Sequence, residues 1–325
     1  MGSASLTSVP ARPATPHEPV LVAEVIGTLA PTAGETIVDC TFGAGGHARR
    51  LAPLVGRTGA YLAIDRDAST QQHFTMFSEG VDCHTRYIRA DFADGLQQLA
   101  DEGVQADGIL MDLGISSMQV DQPERGFSYS RNAPLDMRMD ASGPRTAADL
   151  LAEADEDELI GWFRTYGEER YAKGIARSIV RRRQTQPITS TCELVELIRG
   201  AIPTPALFAG GHPAKRVFQA LRIVVNDELG LLERGLDAAF DLLAPGGRLV
   251  VISFHSLEDR IVKRFMQAKC RGCICPPDLP QCVCGHEPEG VLAMPKALAA
   301  KRDELERNPR AQSARMRAMV KVPVK

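Results

Sequence analysis

Along this chain, apolar residues come in short runs that each lead to an acid. Ile37-Val38 precede Asp39, Tyr61-Leu62-Ala63-Ile64 ends at Asp65, Thr85 to Ala90 leads to Asp91-Phe92, and Gly108 to Met111 leads to Asp112. Helical spacings separate them: Ala48, Leu51, Ala52, Leu54 and Val55 after the first run, Gly95 to Glu102 before the fourth. A short apolar run bounded by turn residues reads as a buried strand, and apolar residues three and four apart read as one face of a helix. Strand and helix in alternation predict an α/β fold with a parallel sheet. Asp39, Asp65, Asp91 and Asp112 then collect at its carboxyl edge, where open α/β sheets bind ligands. Asp91 reads equally well as a helix cap.

After Asp112 the pattern changes. The polar loop Leu113 to Asp121 is followed by Arg125 to Met139, which holds Gly, Pro, Asn and Arg in no clear period. Helical signals then run to about Val225: an acidic turn ahead of Leu159, Ile160, Trp162 and Phe163, apolar pairs within Ala172 to Val180, and Ser190 with Glu193 as a capping box. Phe218 to Leu243 reads as one amphipathic helix, broken by Pro245-Gly246-Gly247, and Arg248 to Phe254 as a returning strand. His255 to Arg260 opens another helix at the same edge, with His255 as either a cap or a chemical group. The expected organisation is a disordered tail over 1–19, a sheet domain formed by 20–122 and 218–325, and an all-helical insertion over 123–217 that recognises substrate.

The stretch Ile37 to His47 is a strand, a glycine-rich turn and a helix start. Gly43, Gly45 and Gly46 allow backbone angles and close approaches that side chains forbid, and the turn delivers a ligand to a helix N-terminus. Asp65 follows at roughly the 20-residue distance at which an acid accepts ribose hydroxyls. The dinucleotide pattern G-x-G-x-x-G is not met, because no glycine stands three places beyond Gly46. Asp39-x-Thr41-x-Gly43-x-Gly45 instead resembles the D-x-G-x-G-x-G signature of S-adenosylmethionine methyltransferases. Asp39 would hold the amino end of that cofactor's methionine portion.

Composition narrows the options. A chain of 325 residues with 44% hydrophobic content is long enough for an α/β core and one further domain. No run approaches the ~18 apolar residues of a membrane span, so no membrane association is expected. A net charge of -3 excludes a generic nucleic-acid coat and leaves local basic patches. Those are Arg177, Arg181, Arg182 and Arg183; Arg131, Arg138 and Arg145; and Arg307, Arg310, Arg315 and Arg317 in the mixed-charge stretch Lys296 to Arg317. Met1 to Pro19, rich in Pro, Ala, Ser and Thr, lacks the apolar core of a signal peptide. Of eight cysteines, five lie between Cys270 and Cys284, and reduced thiols in the cytoplasm are expected. Cys270, Cys273, Cys275, Cys282 and Cys284 with His286 invite a zinc reading. The second pair is C-x-C, however, and the intervening loop is short and proline-bearing, so no metal is assigned.

Several linked segments resemble the ribosomal small subunit methyltransferase H family, also called MraW. They are Gly43 to His47, Asp112 to Ser117, Arg125 to Ser128, Pro134 to Met139, Tyr166 to Glu169, Phe218 to Ile223, Ser253 to Arg260 and Asn308 to Ala311, in the family's order from His17 nearly to the C-terminus. The resemblance implies a Rossmann-like class I methyltransferase sheet interrupted by a helical domain. It also implies S-adenosylmethionine-dependent N4-methylation of a cytidine in the decoding region of 16S rRNA. Carried over by position, cofactor contacts fall on Gly45, Gly46, His47, Asp65, Phe92, Asp112 and Gln119. The partner implied is the small ribosomal subunit, with no obligate protein partner.

The chemistry can be argued from the residues. A sulfonium methyl is already activated, so transfer calls for in-line placement and charge management. The exocyclic amine of cytosine is a poor nucleophile until an acceptor takes its N–H and turns the lone pair out of the ring. Asp112, or a carbonyl of the loop after it, stands where the sheet would put that acceptor, and His255 is the second candidate catalytic residue. The usual amino-methyltransferase loop, Asn or Asp followed by Pro-Pro and an aromatic, is replaced by Asp112-Leu113-Gly114-Ile115-Ser116. Attack at a ring carbon would need a cysteine, typically in a Pro-Cys dipeptide, and none occurs. Phe127, Tyr129 and Trp162 are candidates to stack on an unstacked base. Two other classes compete. A nicotinamide oxidoreductase is opposed by the missing glycine and by Asp39. A non-catalytic ribosome assembly factor is opposed by the intact Gly45-Gly46-His47, Asp65 and Asp112.

Overall fold

The apolar runs become strands of one seven-stranded sheet in a computed structural model that describes residues 19–207, 211–276, 279 and 281–323. The strands are β1 (Thr36–Asp39), β2 (Ala60–Asp65), β3 (His84–Arg89), β4 (Ala106–Asp112), β5 (Leu243–Ser253), β6 (Gly290–Leu292) and β7 (Arg315–Lys321). Their order is β3-β2-β1-β4-β5-β7-β6; β1 to β5 are parallel, and β7 runs antiparallel between β5 and β6. This is the Rossmann-like arrangement that the alternation of strand and helix predicts. The chain crosses from one side of β1 to the other before β4, so a crevice opens at the tips of β1 and β4.

Side chains alternate across the strands and build a core on each face. Ile37, Leu110, Val250 and Ile252 pack under the helices Val22–Leu29 and Ala48–Val55, while Val38, Ile109, Met111 and Val251 pack under Phe92–Asp101 and Glu228–Leu242. A third core draws all its buried members from between Phe127 and Leu221, with Phe163, Ile175, Ile179, Leu194 and Ile198 fully buried.

Several sequence expectations are corrected. The amphipathic run after Phe218 is two helices, Lys215–Asn226 and Glu228–Leu242, because Asp227 adopts a left-handed conformation (φ 48°) that turns the chain. The Pro245-Gly246-Gly247 break lies inside β5 as a bulge: pairing with β4 shifts between Ala106↔Leu243 and Gly108↔Arg248. The acidic turn ahead of Leu159 opens Glu156–Thr165, and a separate helix, Ala147–Glu153, precedes it, each with its own capping box, on Asp155 and Thr146 respectively. The basic stretch near the C-terminus, which the sequence leaves open between folding against the sheet domain and meeting RNA, ends in the sheet, since β7 pairs with β5 and Arg317 meets Asp259 at 2.7 Å. The expected disordered tail lies, apart from Pro19, outside the described residues. Among the described residues no helix is long and apolar enough to cross a membrane.

Candidate active site

At the tip of β1 the turn Thr41 to Gly46 bends over the sheet edge. Gly43 and Gly45 both have positive φ (54° and 73°), and a Cβ on Gly45 would stand 2.8 Å from the Phe42 ring, so the turn is closed to any larger residue there. Thr41, in the slot where the signature carries glycine, accepts the Asp112 backbone N–H on its hydroxyl at 2.7 Å and so staples the turn to β4. The helix Ala48–Val55 starts directly behind it, with His47 at its N-cap.

The acids are held mainly by nearby donors. Asp39 is buried; its carboxylate accepts the Tyr61 hydroxyl at 2.8 Å and the Thr41 N–H at 3.1 Å, yet burial still raises its pKa. Asp65 accepts N–H groups from Gly43 (2.8 Å) and Asp67 (2.9 Å), and burial pushes it up to about 6 against those two donors. In Asp67 the balance is reversed. Burial would raise it, but Gln119 Nε2, the Ser69 N–H and hydroxyl, and Arg125 together hold it below the usual carboxylate range. Asp91 is the N-cap of Phe92–Asp101, accepting the Asp94 N–H at 3.0 Å.

Two groups are left over. His47 is 6% exposed with neither ring nitrogen hydrogen-bonded among the described residues; its Nε2 lies 3.5 Å from Asp112 Oδ2, and Asp112 Oδ1 also lacks a partner. Leaving buried polar atoms unpaired costs ~1–3 kcal/mol each, so such a cluster beside a glycine turn fits a polar ligand better than it fits packing.

Facing this rim, the helices Lys215–Asn226, Glu228–Leu242 and Ser256–Lys269 bring a second set together. Arg222, in bidentate contact with Glu228 at 2.7 and 2.8 Å, is held above its ordinary pKa despite burial, with Glu258 adding to the field. Glu258 is buried, a penalty outweighed by His255, by Arg222 and by the Phe254 N–H, so its carboxyl sits low. His255 is the N-cap of Ser256–Lys269: its Nδ1 accepts the Glu258 N–H at 3.4 Å, which leaves Nε2, 3.2 Å from Glu258 Oε1, as the protonated nitrogen. Glu228, His255 and Glu258 lie close together, with the Arg222 guanidinium bonded to Glu228 and its charge also acting on Glu258.

A cleft of about 1640 Å³ runs between the two sets. Asp39, Gly43, Gly46, His47, Asp65, Phe92, Asp112, Gln119 and His255 all line it; Gly45 does not, and shapes the turn from behind. Gln119 spends both ends of its amide on structure, accepting the Ser116 N–H and donating to Asp67. The Phe92 ring lies against Gly235, where a Cβ would come within 2.5 Å. Of the stacking candidates, Phe127 and Tyr129 reach the cleft, Tyr129 stacked at 4.4 Å on His212, whereas Trp162 packs on the third core away from it. Of the basic patches, Arg183 is spent capping the carbonyls of Leu151 and Ala154, Arg177 pairs with Glu156, and Arg138 pairs with Asp136; Arg131 lines the cleft.

Sequence reasoning gave no role to Asp67, Arg125, Arg222, Glu228, Glu258 or Asn226, although Arg125, Arg222 and Glu258 lie in the segments that carry the resemblance. Arg125 ties Asp67 to the carbonyls of Arg138 and Met139, and Asn226 bonds Arg66, Arg222, Met137 and Met139 together. A lone Arg in an aperiodic loop and an Asn at a helix end were the available signals, and neither names its partner.

Comparison with known proteins gives a family match and close relatives. The model of the "MraW methylase family" matches residues 14–322. The chain is 48% identical to "Ribosomal RNA small subunit methyltransferase H" of Heliobacterium modesticaldum over 312 residues, covering 94% of this chain and 98% of that protein. Proteins of the same name from Symbiobacterium thermophilum (48%, covering 94% and 96%) and Geobacter sulfurreducens (47%, covering 94% and 99%) are similarly related.

Proposed function

The chain belongs to the MraW methylase family, and from that premise we propose that it methylates N4 of a cytidine in the decoding region of 16S rRNA, in the cytoplasm, acting on the small ribosomal subunit. At the coarser level it is an S-adenosylmethionine-dependent rRNA methyltransferase. The observation that carries the finer reading is the cleft itself. At about 1640 Å³ it exceeds the ~300–1,000 Å³ that one small ligand needs, and it has a glycine turn with unpaired His47 and Asp112 on one side and an aromatic and basic mouth on the other.

The residues present fit the cofactor. Asp39 and the turn would meet its methionine portion, Asp65 the ribose, Phe92 the adenine, and His47 and Asp112 the polar atoms between; Gln119 would act by fixing Asp67 behind the rim. When bound, S-adenosylmethionine supplies a methyl already activated for transfer. Asp112 Oδ1, free at the tip of β4, accepts an N–H of the target amine, turning the nitrogen lone pair toward the methyl carbon and later taking the proton. His255, whose Nδ1 is committed to the Glu258 N–H, offers Nε2–H and serves as a donor to the base rather than as a proton acceptor. Phe127 or Tyr129 stacks on the unstacked base, and Arg131 at the cleft, with the insertion around it, meets the backbone phosphates. Ring-carbon chemistry has no nucleophile here: Cys40 is the one cysteine among the described cleft residues, and burial raises its thiol well above the ordinary range.

The test is transfer of a radiolabelled methyl to naked rRNA, free 30S subunits and 70S ribosomes, followed by nucleoside analysis. N4-methylcytidine formed on the small subunit is the expected product. Label on a ring carbon, or none on any substrate, overturns the proposal.

A further inference from the structure

Between the helix Ser256–Lys269 and β6 the chain makes a loop whose described residues from 271 to 289 join none of the three hydrophobic cores. Its large apolar residues point outward: Ile274 is 53%, Leu279 41% and Val283 78% exposed. At its base the Glu289 N–H bonds the Lys269 carbonyl at 2.9 Å and the two side chains pair at 3.0 Å, a clamp on the stem and not on the tip.

Yet the tip converges. Cys282 Sγ lies 3.5 Å from Cys273 Sγ, 4.0 Å from Cys275 Sγ and 3.6 Å from Cys284 Sγ, and Cys284 Sγ lies 3.9 Å from Cys273 Sγ. A disulfide would need ~2.05 Å, so none of these contacts is a bond. Four sulfurs bound to zinc at ~2.3 Å at the corners of a tetrahedron stand about 3.8 Å apart, in the middle of the observed range. We propose that Cys273, Cys275, Cys282 and Cys284 hold one zinc ion in a closed four-thiolate site that folds this loop.

Two features support it. The backbone N–H groups of Ile274 and His286 both point at Cys284 Sγ, the latter at 3.5 Å, and such donors stabilise a metal-bound thiolate. The sequence reading looked for two pairs that included Cys270. That cysteine instead caps its helix and packs toward the sheet, so the donor set is C-x-C twice, with Cys270 outside it. Four protein ligands leave no open position, so the ion is structural. None of the four lines the cleft, and the proposal is independent of the methyl-transfer reading.

The full chain, purified under reducing conditions without chelator, is expected to carry about one zinc per chain by elemental analysis. Replacing zinc by cobalt should give the visible ligand-field and sulfur-to-metal charge-transfer bands of a tetrahedral thiolate complex. Cys282→Ser should lose the metal, while Cys270→Ser and Cys192→Ser keep it, and S-adenosylmethionine affinity should be unchanged in all three. Absence of stoichiometric metal after growth with zinc, or iron with sulfide in its place, overturns the proposal. If Cys282→Ser fails to fold, the cobalt spectrum of the unaltered chain decides the matter alone.

Discussion

The two walls of the cleft hold their charges in opposite ways. On the rim at the tips of β1 to β4, most acids meet neutral donors: Asp39 the Tyr61 hydroxyl and the Thr41 N–H, Asp65 the Gly43 and Asp67 N–H groups, Asp91 the Asp94 N–H. On the facing wall, Arg222 pairs with Glu228 and its charge acts on Glu258 across three helices, the His255 ring lies against Glu258, and Asn226 reaches Met139, 87 residues away. A charge held by nearby amides leaves no partner stranded when it is removed. A charge held by other buried charges does, and in a low-dielectric interior a stranded ion is costly. The rim is therefore expected to be separable from stability, whereas the facing wall carries fold and site together.

Asp112→Ala tests the rim most severely. Its Oδ1 has no partner to lose and its backbone N–H keeps the Thr41 hydroxyl, so folding should be nearly untouched. Loss of a positioned proton acceptor costs on the order of 10²–10⁴-fold in turnover. Single-turnover methyl transfer beside a thermal melt reads both; a large drop in melting temperature with little loss of rate would reverse the assignment of this wall.

Arg222→Met is the matching break on the other side. Removing the guanidinium strands Glu228, whose side chain is 8% exposed, and withdraws a favourable charge from Glu258, and the expected loss of stability is about 3–5 kcal/mol, measured by urea unfolding. Adding Glu228→Gln should recover part of it, because the second change removes the stranded charge. Equal stability of Arg222→Met and the unaltered chain would mean that the wall is not an ion set at all.

The same difference explains what could be read in advance. Asp39, Asp65 and Asp112 were legible because a strand, a turn and a following acid are contiguous, and the near-continuous burial of β1, β2 and β4 shows in the sequence as short apolar runs, a local pattern. The join between Lys215–Asn226 and Glu228–Leu242 was not, because the apolar stripe runs through a single left-handed residue, Asp227. Arg222 looked like one more polar residue on a helix face; its partners on two other helices are set by packing that no spacing encodes. The cysteine loop falls between these cases. The residues were visible, but Cys270 made the wrong pair.

Asp65 gives the finest test, since burial moves it up to about 6. Its folded value, about 6, lies above the ordinary 3.8, so the unfolded chain ionises first, and the stability this group contributes is present below about pH 3.8 and lost as pH rises to about 6. Ribose hydroxyls are donors and need the carboxylate, so ligand binding runs the other way. Affinity for S-adenosylmethionine should be level above pH 6 and fall by up to about tenfold per unit below it, until the bound state also takes up a proton. Calorimetric titration between about pH 5 and 7 reads the slope, and Asp65→Asn should bind more weakly with a flat profile. If the unaltered chain is flat as well, Asp65 is satisfied by the Gly43 and Asp67 amides alone, and the rim on that side is a structural turn rather than a ligand contact.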